Sequence, residues 1–266
     1  MKGVGCAAVD SPKLPWQFFL AKLKTQNRFH SPPRVELRKL IIVKAGVEPA
    51  SNGEIRVCVN RTCRRQGSME VLQVLSGIAP PHMSVKSCAC LSRCGAGPNL
   101  VVLPQGTFVS HCATAARAAN IMMDVCGGDA DSWSNSLTAL ALRKKSQDEK
   151  EKSNGSGAET LLSQAIDLNP RGGIHLLYME RSALRLGMGN LEGALGDAKQ
   201  ALGLTSSAHP DAYICQGDVL VAMEQFDAAD KSYGMALDLD PSLRRSKSFK
   251  GRIEKLRQKL ITADLP

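Results

Sequence analysis

The sequence has nine cysteines but no C-x-x-C pair. A thioredoxin-type redox dithiol needs that spacing, so that one thiolate can attack the other's mixed disulfide, and it is excluded. Nothing near the N-terminus has the form of a secretory signal, and a disulfide framework belongs to small secreted domains. No apolar stretch approaches the roughly 20 residues that span a bilayer, so the mature chain is expected to be soluble or peripheral to a membrane, with no transmembrane segment. G-x-S-x-G, the P-loop and the Rossmann fingerprint are all missing, as is any carboxylate pair with a supporting pattern. The chain is therefore not expected to be an enzyme. None of the five histidines is spaced to replace a thiolate pair, which argues against a Rieske-type centre.

Acids are scarce at one end. Residues 1–45 hold nine Lys and Arg against only Asp10 and Glu36, while the remaining 221 residues hold 25 basic and 23 acidic side chains. The formal charge of +9 thus belongs mostly to the N-terminal segment, and no nucleic-acid partner is expected. A basic, acid-poor segment with proline and no periodic core reads as an organelle transit peptide over residues 1–45, disordered before cleavage. Residues 42–45 resemble the end of a plastid transit peptide, and Cys6 would leave with it. The expected location is the chloroplast, in the stroma or at the thylakoid surface. The low serine content of the segment keeps the mitochondrion as the alternative.

Four of the cysteines form two close pairs, Cys58-x4-Cys63 and Cys90-x3-Cys94. Two such pairs, separated by a short gap, can bring four thiolates to one place. The first pair lies within the spacing range of structural zinc sites, which keeps zinc open. Four thiolates on a [2Fe–2S] cluster fit better: thiolate charge neutralises ferric iron, and Gly95 and Gly97 let backbone approach the sulfurs.

The segments VCVNRTCRRQGSMEVL and CACLSRCGAGPNLVVLPQG resemble the two halves of the thioredoxin-like [2Fe–2S] ferredoxins, over residues 54–126. The resemblance implies a [2Fe–2S] cofactor with Cys58, Cys63, Cys90 and Cys94 as its ligands. Cys88 stands two residues before Cys90 as a second candidate, but the C-x3-C spacing favours Cys90. The local pattern predicts a strand over 54–59, then a helix through Met69, Leu72 and Leu75. Strands over 100–103 and 107–110 and a helix over 112–125 follow. That order is β-α-β-β-α, with both cysteine pairs in loops and with Cys112 and Cys126 as buried thiols.

The second half repeats. AIDL at 165–168, ALGL at 201–204 and ALDL at 236–239 lie 36 and then 35 residues apart. Ala158, Ala194 and Ala229 recur in phase, as do Ser146, Ser182 and Gly217, and Leu191 with Phe226. Period and pattern resemble tetratricopeptide (TPR) repeats. Three units are expected over 134–241, the first degenerate, because its charged stretch RKKSQDEKEKSNGSG reads either as helix or as flexible linker. A capping helix over 242–262 follows, with Phe249, Ile253, Leu256 and Leu260 as its apolar stripe. That cap carries Arg244, Arg245, Lys247, Lys250, Arg252, Lys255, Arg257 and Lys259 against Glu254. It reads as a solvated face, or as a docking site for an acidic partner or anionic lipid.

A TPR groove implies a protein partner. Some such repeats hold chaperone C-terminal carboxylates in a clamp of lysine, asparagine and arginine. Here Arg143 falls at the first basic position, but Glu180, Asp211 and Cys215 fall where asparagine, lysine and arginine are expected. Two acids would repel a carboxylate, so that clamp is not expected. Arg61, Arg64, Arg65 and Arg93 surround the cysteine loops and are expected to raise the cluster potential and steer an acidic redox partner to the cluster face.

The expected fold is therefore α+β: a small thioredoxin-like ferredoxin domain over 54–127, followed by an all-α TPR solenoid. The expected function is a plastid [2Fe–2S] electron-transfer protein tethered to a complex through its TPR repeats. The alternative is a TPR assembly or scaffold factor whose cluster is structural or redox-sensing.

Overall fold

The computed structural model describes residues 53–206 and 209–263. The transit-peptide expectation, with Cys6, falls outside the described residues.

The N-terminal part is a four-stranded sheet with helices on it. Its strands are β1 (Gly53–Cys58), β2 (Met83–Cys88), β3 (Leu100–Leu103) and β4 (Thr107–Val109), in the spatial order β2-β1-β3-β4. β1 and β2 run parallel; β1–β3 and β3–β4 run antiparallel. The parallel pair requires a crossover, and α1 (Arg61–Arg65) and α2 (Ser68–Ile78) supply it. Ile55 and Val57 in β1 alternate inward with no exposure, against Leu75 and Ile78 of α2 and Met122 of α3 (Ala115–Cys126).

Three expectations need correction here. β2 is absent from the predicted β-α-β-β-α order. Its sequence, MSVKSC, buries only Met83, so as a half-exposed strand it carries almost no alternation for a pattern to catch. Neither member of the first cysteine pair lies in a loop: Cys58 ends β1 and Cys63 sits inside α1. Cys112 precedes α3 rather than opening it, because Thr114 caps that helix by accepting from the Arg117 N–H.

The C-terminal part is a run of helix hairpins. They are α4 (Ala130–Glu151) with α5 (Gly155–Asp167), α6 (Ile174–Gly187) with α7 (Leu191–Leu204), and α8 (Pro210–Ala222) with α9 (Phe226–Leu239). The charged stretch of the first unit is helix through Glu151, not linker. The in-phase alanines are all fully buried: Ala158, Ala194 and Ala229, and Ala165, Ala201 and Ala236. Small side chains there let the paired helices close on each other. Ser182 is also buried and donates to the Ala194 carbonyl (2.8 Å), while a Cβ at Gly217 would collide with the Tyr233 ring. A 3-10 turn (Pro241–Arg245) leads to α10 (Lys247–Ala263), whose Phe249 meets Tyr233 edge-on at 5.7 Å. No helix among the described residues is long and apolar enough to cross a membrane.

The two parts share one core. Trp133 and Leu140 of α4 belong to the same buried cluster as β1, β3 and α2, and the Trp133 indole N–H donates to the Gly127 carbonyl (2.9 Å). The loop before α6 is pressed against the end of α2: the Gly173 N–H donates to the Ala79 carbonyl (3.1 Å). A Cβ at Gly172 would overlap the Ile78 carbonyl.

Candidate functional site

The cysteines gather at one end of the sheet. Cys58 and Cys63 are buried, at 1% and 2% exposure, and form the floor. Cys90 and Cys94 are exposed at the rim, with their sulfurs 3.8 Å apart. Cys58 is within hydrogen-bonding reach of Cys63 and Cys90, and Cys94 feels the charge of Cys90, Cys63 and Cys58, so the four thiols are neighbours. Among the described residues no three metal-ligating side chains centre on a single ion. Cys88, register partner of Cys58 on β2, adjoins this group.

Donors aim at these sulfurs. The Ser92 N–H donates to Cys90 Sγ (3.4 Å) from a left-handed turn, φ +58°. Asn99 Nδ2 donates to Cys63 Sγ (3.6 Å) and to the Arg93 carbonyl (2.7 Å), tying α1 to the segment that carries Cys90 and Cys94. Burial alone would raise the Cys58 thiol, but the backbone N–H groups of Asn60 and Leu91 outweigh it and hold the thiol below its ordinary value. Burial pushes Cys63 up, and its neighbour Cys90 pushes Cys94 up. Gly97 lies so close that a Cβ there would stand 3.1 Å from Cys63 Sγ. Cys112 is fully buried and Cys126 only half-buried, a departure from the expectation of two buried thiols, and burial pushes each thiol up to about 11.

Sequence reasoning found the four cysteines and missed Asn99. One signal was available: an asparagine after proline at the mouth of β3, where an apolar residue would start the strand. Arg61, Arg64, Arg65 and Arg93 are exposed around the nest, and Arg93 lies over the Phe108 ring at 4.6 Å.

In the helical part, Arg143 is engaged by Glu180, which accepts from its Nε (2.8 Å) and Nη2 (2.5 Å) and from Gln147 Nε2 (3.3 Å). Asp211 is open to solvent. Cys215 turns inward, donating to the Met179 carbonyl (3.7 Å). Glu180 thus neutralises the Arg143 guanidinium. Further along, Asp197 accepts from both Arg181 (2.8 Å) and Arg185 (3.0 Å), linking α6 to α7. His175 is 4% exposed, with its ring 5.4 Å from that of His209, and the Nδ1 atoms of both rings are buried without a hydrogen bond.

The helix hairpins and the sheet define a protein with a TPR-like helical repeat region joined to a small α+β domain that carries a group of cysteines. No protein-family model matches the chain. The STIP1 homolog of Dictyostelium discoideum is 36% identical over 90 residues, 33% of this chain, which spans only 15% of that protein. Among solved structures, the first TPR domain of human RPAP3 is 21% identical with TM-score 0.42, over 47% of this chain and 94% of that one. The thioredoxin-like [2Fe–2S] ferredoxin of Aquifex aeolicus is 23% identical with TM-score 0.27, over 30% of this chain and 91% of that one.

Proposed function

We propose that the protein is a binding scaffold, not an enzyme. Its TPR-type groove seats a segment of a partner protein, and its cysteine nest holds a [2Fe–2S] cluster through Cys58, Cys63, Cys90 and Cys94. The observation that carries this reading is the gathering of four thiols and their N–H donors on a domain whose core continues into the repeats.

The residues present fit such a group. Four thiolates supply the negative charge that ferric iron requires. Ser92, Asn99 and the Asn60 and Leu91 amides offset that charge at the sulfurs, and Gly97 leaves room beside Cys63. When bound, the cluster supplies one-electron redox chemistry. Cys58 and Cys63 would anchor it to β1 and α1, and Cys90 and Cys94 to the loop that Asn99 fixes.

The exposure of Cys90 and Cys94 favours a second reading, an electron carrier with an acidic redox partner steered to the cluster face by Arg61, Arg64, Arg65 and Arg93. Plastid location is proposed from the composition of residues 1–45. The TPR of Spaghetti (RPAP3) is bound to the HSP90 peptide SRMEEVD. In this groove Arg143 is already paired, so we infer a partner segment other than an acidic tail.

The test is anaerobic purification with iron and sulfide assays, absorption and electron paramagnetic resonance spectra, and urea unfolding before and after iron removal. A [2Fe–2S] spectrum lost in Cys58→Ser supports the nest assignment. A large fall in the unfolding midpoint without iron supports the scaffold role, whereas reversible cycling with an unchanged midpoint supports the carrier. Zinc alone, or no metal after reconstitution, removes the cluster from the reading.

A further inference from the structure

Two groups stand out among the cations of the cap. Arg252 is structural: its Nε donates to Asp218 (2.8 Å), which also accepts from the Tyr233 hydroxyl (2.8 Å), and this pins α10 to the last hairpin. Arg244, Lys250 and Arg257 do something else. They edge an open cleft of about 540 Å³ between α9 and α10, and none of the three forms an ion pair among the described residues. The floor of the cleft is apolar, made by Leu237, Phe249 and Ile253. Glu254 also lines it and accepts from Gln258 on its own helix (3.2 Å). The volume falls within the range of ligand-sized pockets, roughly 300–1,000 Å³.

We propose that this cleft is a docking site for a short acidic peptide segment with an apolar anchor, separate from the TPR groove. Charge complementarity names the occupant. Three cations without an ion pair, against the single carboxylate of Glu254, leave a net positive rim that attracts carboxylates while the apolar floor takes an aliphatic or aromatic side chain. A flat anionic membrane suits the site less well. Phe249 is recessed, at 3% exposure, and does not protrude to meet acyl chains. Glu254 would face the headgroups.

The test uses the full chain and a fluorescein-labelled peptide of sequence DEELEDFE, read by fluorescence anisotropy at low salt. Binding is expected to weaken about tenfold in the triple variant R244E/K250E/R257E, as loss of three exposed charge contacts implies. The control K247E reverses a cap charge that does not line the cleft, and it should leave binding within about twofold. Leu237→Asp should weaken binding without changing the rim. Circular dichroism of each variant reports that the fold is kept, and the milder pair Lys250→Ala with Arg257→Ala repeats the test should the triple variant unfold. Equal losses in K247E and the triple variant would overturn the cleft in favour of general charge. Absence of peptide binding, with sedimentation on phosphatidylserine vesicles that the triple variant loses, would overturn it in favour of a membrane surface.

Discussion

At the scale of single residues, the cysteine nest was half legible. Spacing singled out the four thiols because two close pairs a short gap apart are visible in a single sequence. The groups that hold them, Asn99 and the Ser92 turn, act across 36 residues or through backbone angles, and spacing carries neither. The same limit hid His175. Burial first, then the neighbouring His209 and Arg143, lowers its pKa to about 4. The sign follows from linkage. Above pH 6.5 both folded and unfolded forms are neutral there and nothing is lost. As the pH falls from 6.5 towards 4, the unfolded chain takes up a proton that the folded chain refuses, so stability declines. Below pH 4 this contribution levels off, at up to about 3 kcal/mol for a shift of that size. Urea midpoints followed by circular dichroism between pH 7 and 4 should therefore decline less steeply in His175→Leu than in the unaltered chain. Parallel slopes would remove His175 as the source.

At the scale of elements, the repeats were the most legible part, because close helix pairing demands small residues at fixed phase and the sequence shows them. β2 was not, since an edge strand answers to hydrogen bonding with β1 rather than to a buried face. Helix starts show how local chemistry enforces the repeat. Asn154 caps α5 by accepting from the Gly157 N–H (3.0 Å), and Asn190 caps α7 by accepting from the Gly193 N–H (3.0 Å). In both cases a Cβ on the glycine would collide with the capping side chain. The third unit has Gln225 and Ala228 at these positions, and Gln225 makes no side-chain cap bond. Asparagine cap and glycine thus go together. Asn190→Ala should cost about 1 kcal/mol in chemical unfolding. Gly193→Ala should cost a similar amount by displacing the cap, although alanine is the better helix former. The double variant should then be no less stable than Asn190→Ala alone, a non-additive cycle. Additive losses would show that the glycine serves something other than the cap.

At the scale of the whole molecule, the question is whether the sheet domain and the repeats fold as one. The sequence showed two patterns side by side, and the link between them was invisible because it joins backbone and side chains far apart in the chain. Gly172-Gly173 reads as a turn between repeats; in the structure the pair is the contact surface for α2. Two residues separate that helix from α1, which contains Cys63, and it ends where Ile78 meets Gly172. One 11-residue helix therefore spans from the cysteine nest to the loop between the first and second hairpins. Ser136 reinforces the joint, accepting from the Gly172 N–H (3.2 Å), and Arg171 donates to the Cys126 carbonyl (3.2 Å). A joint of this kind leaves no space for a methyl group, and overpacking against rigid backbone costs about 1–3 kcal/mol. Gly172→Ala should accordingly lower hydrogen-exchange protection in β1 and β3 and in α6 together, since both sides lose the shared core. Asn190→Ala, remote from the joint, should lower protection in α6 and α7 and leave β1 and β3 unchanged. Loss confined to the helices in Gly172→Ala would show that the halves fold independently, and a signal at the nest would then have no rigid path to the groove.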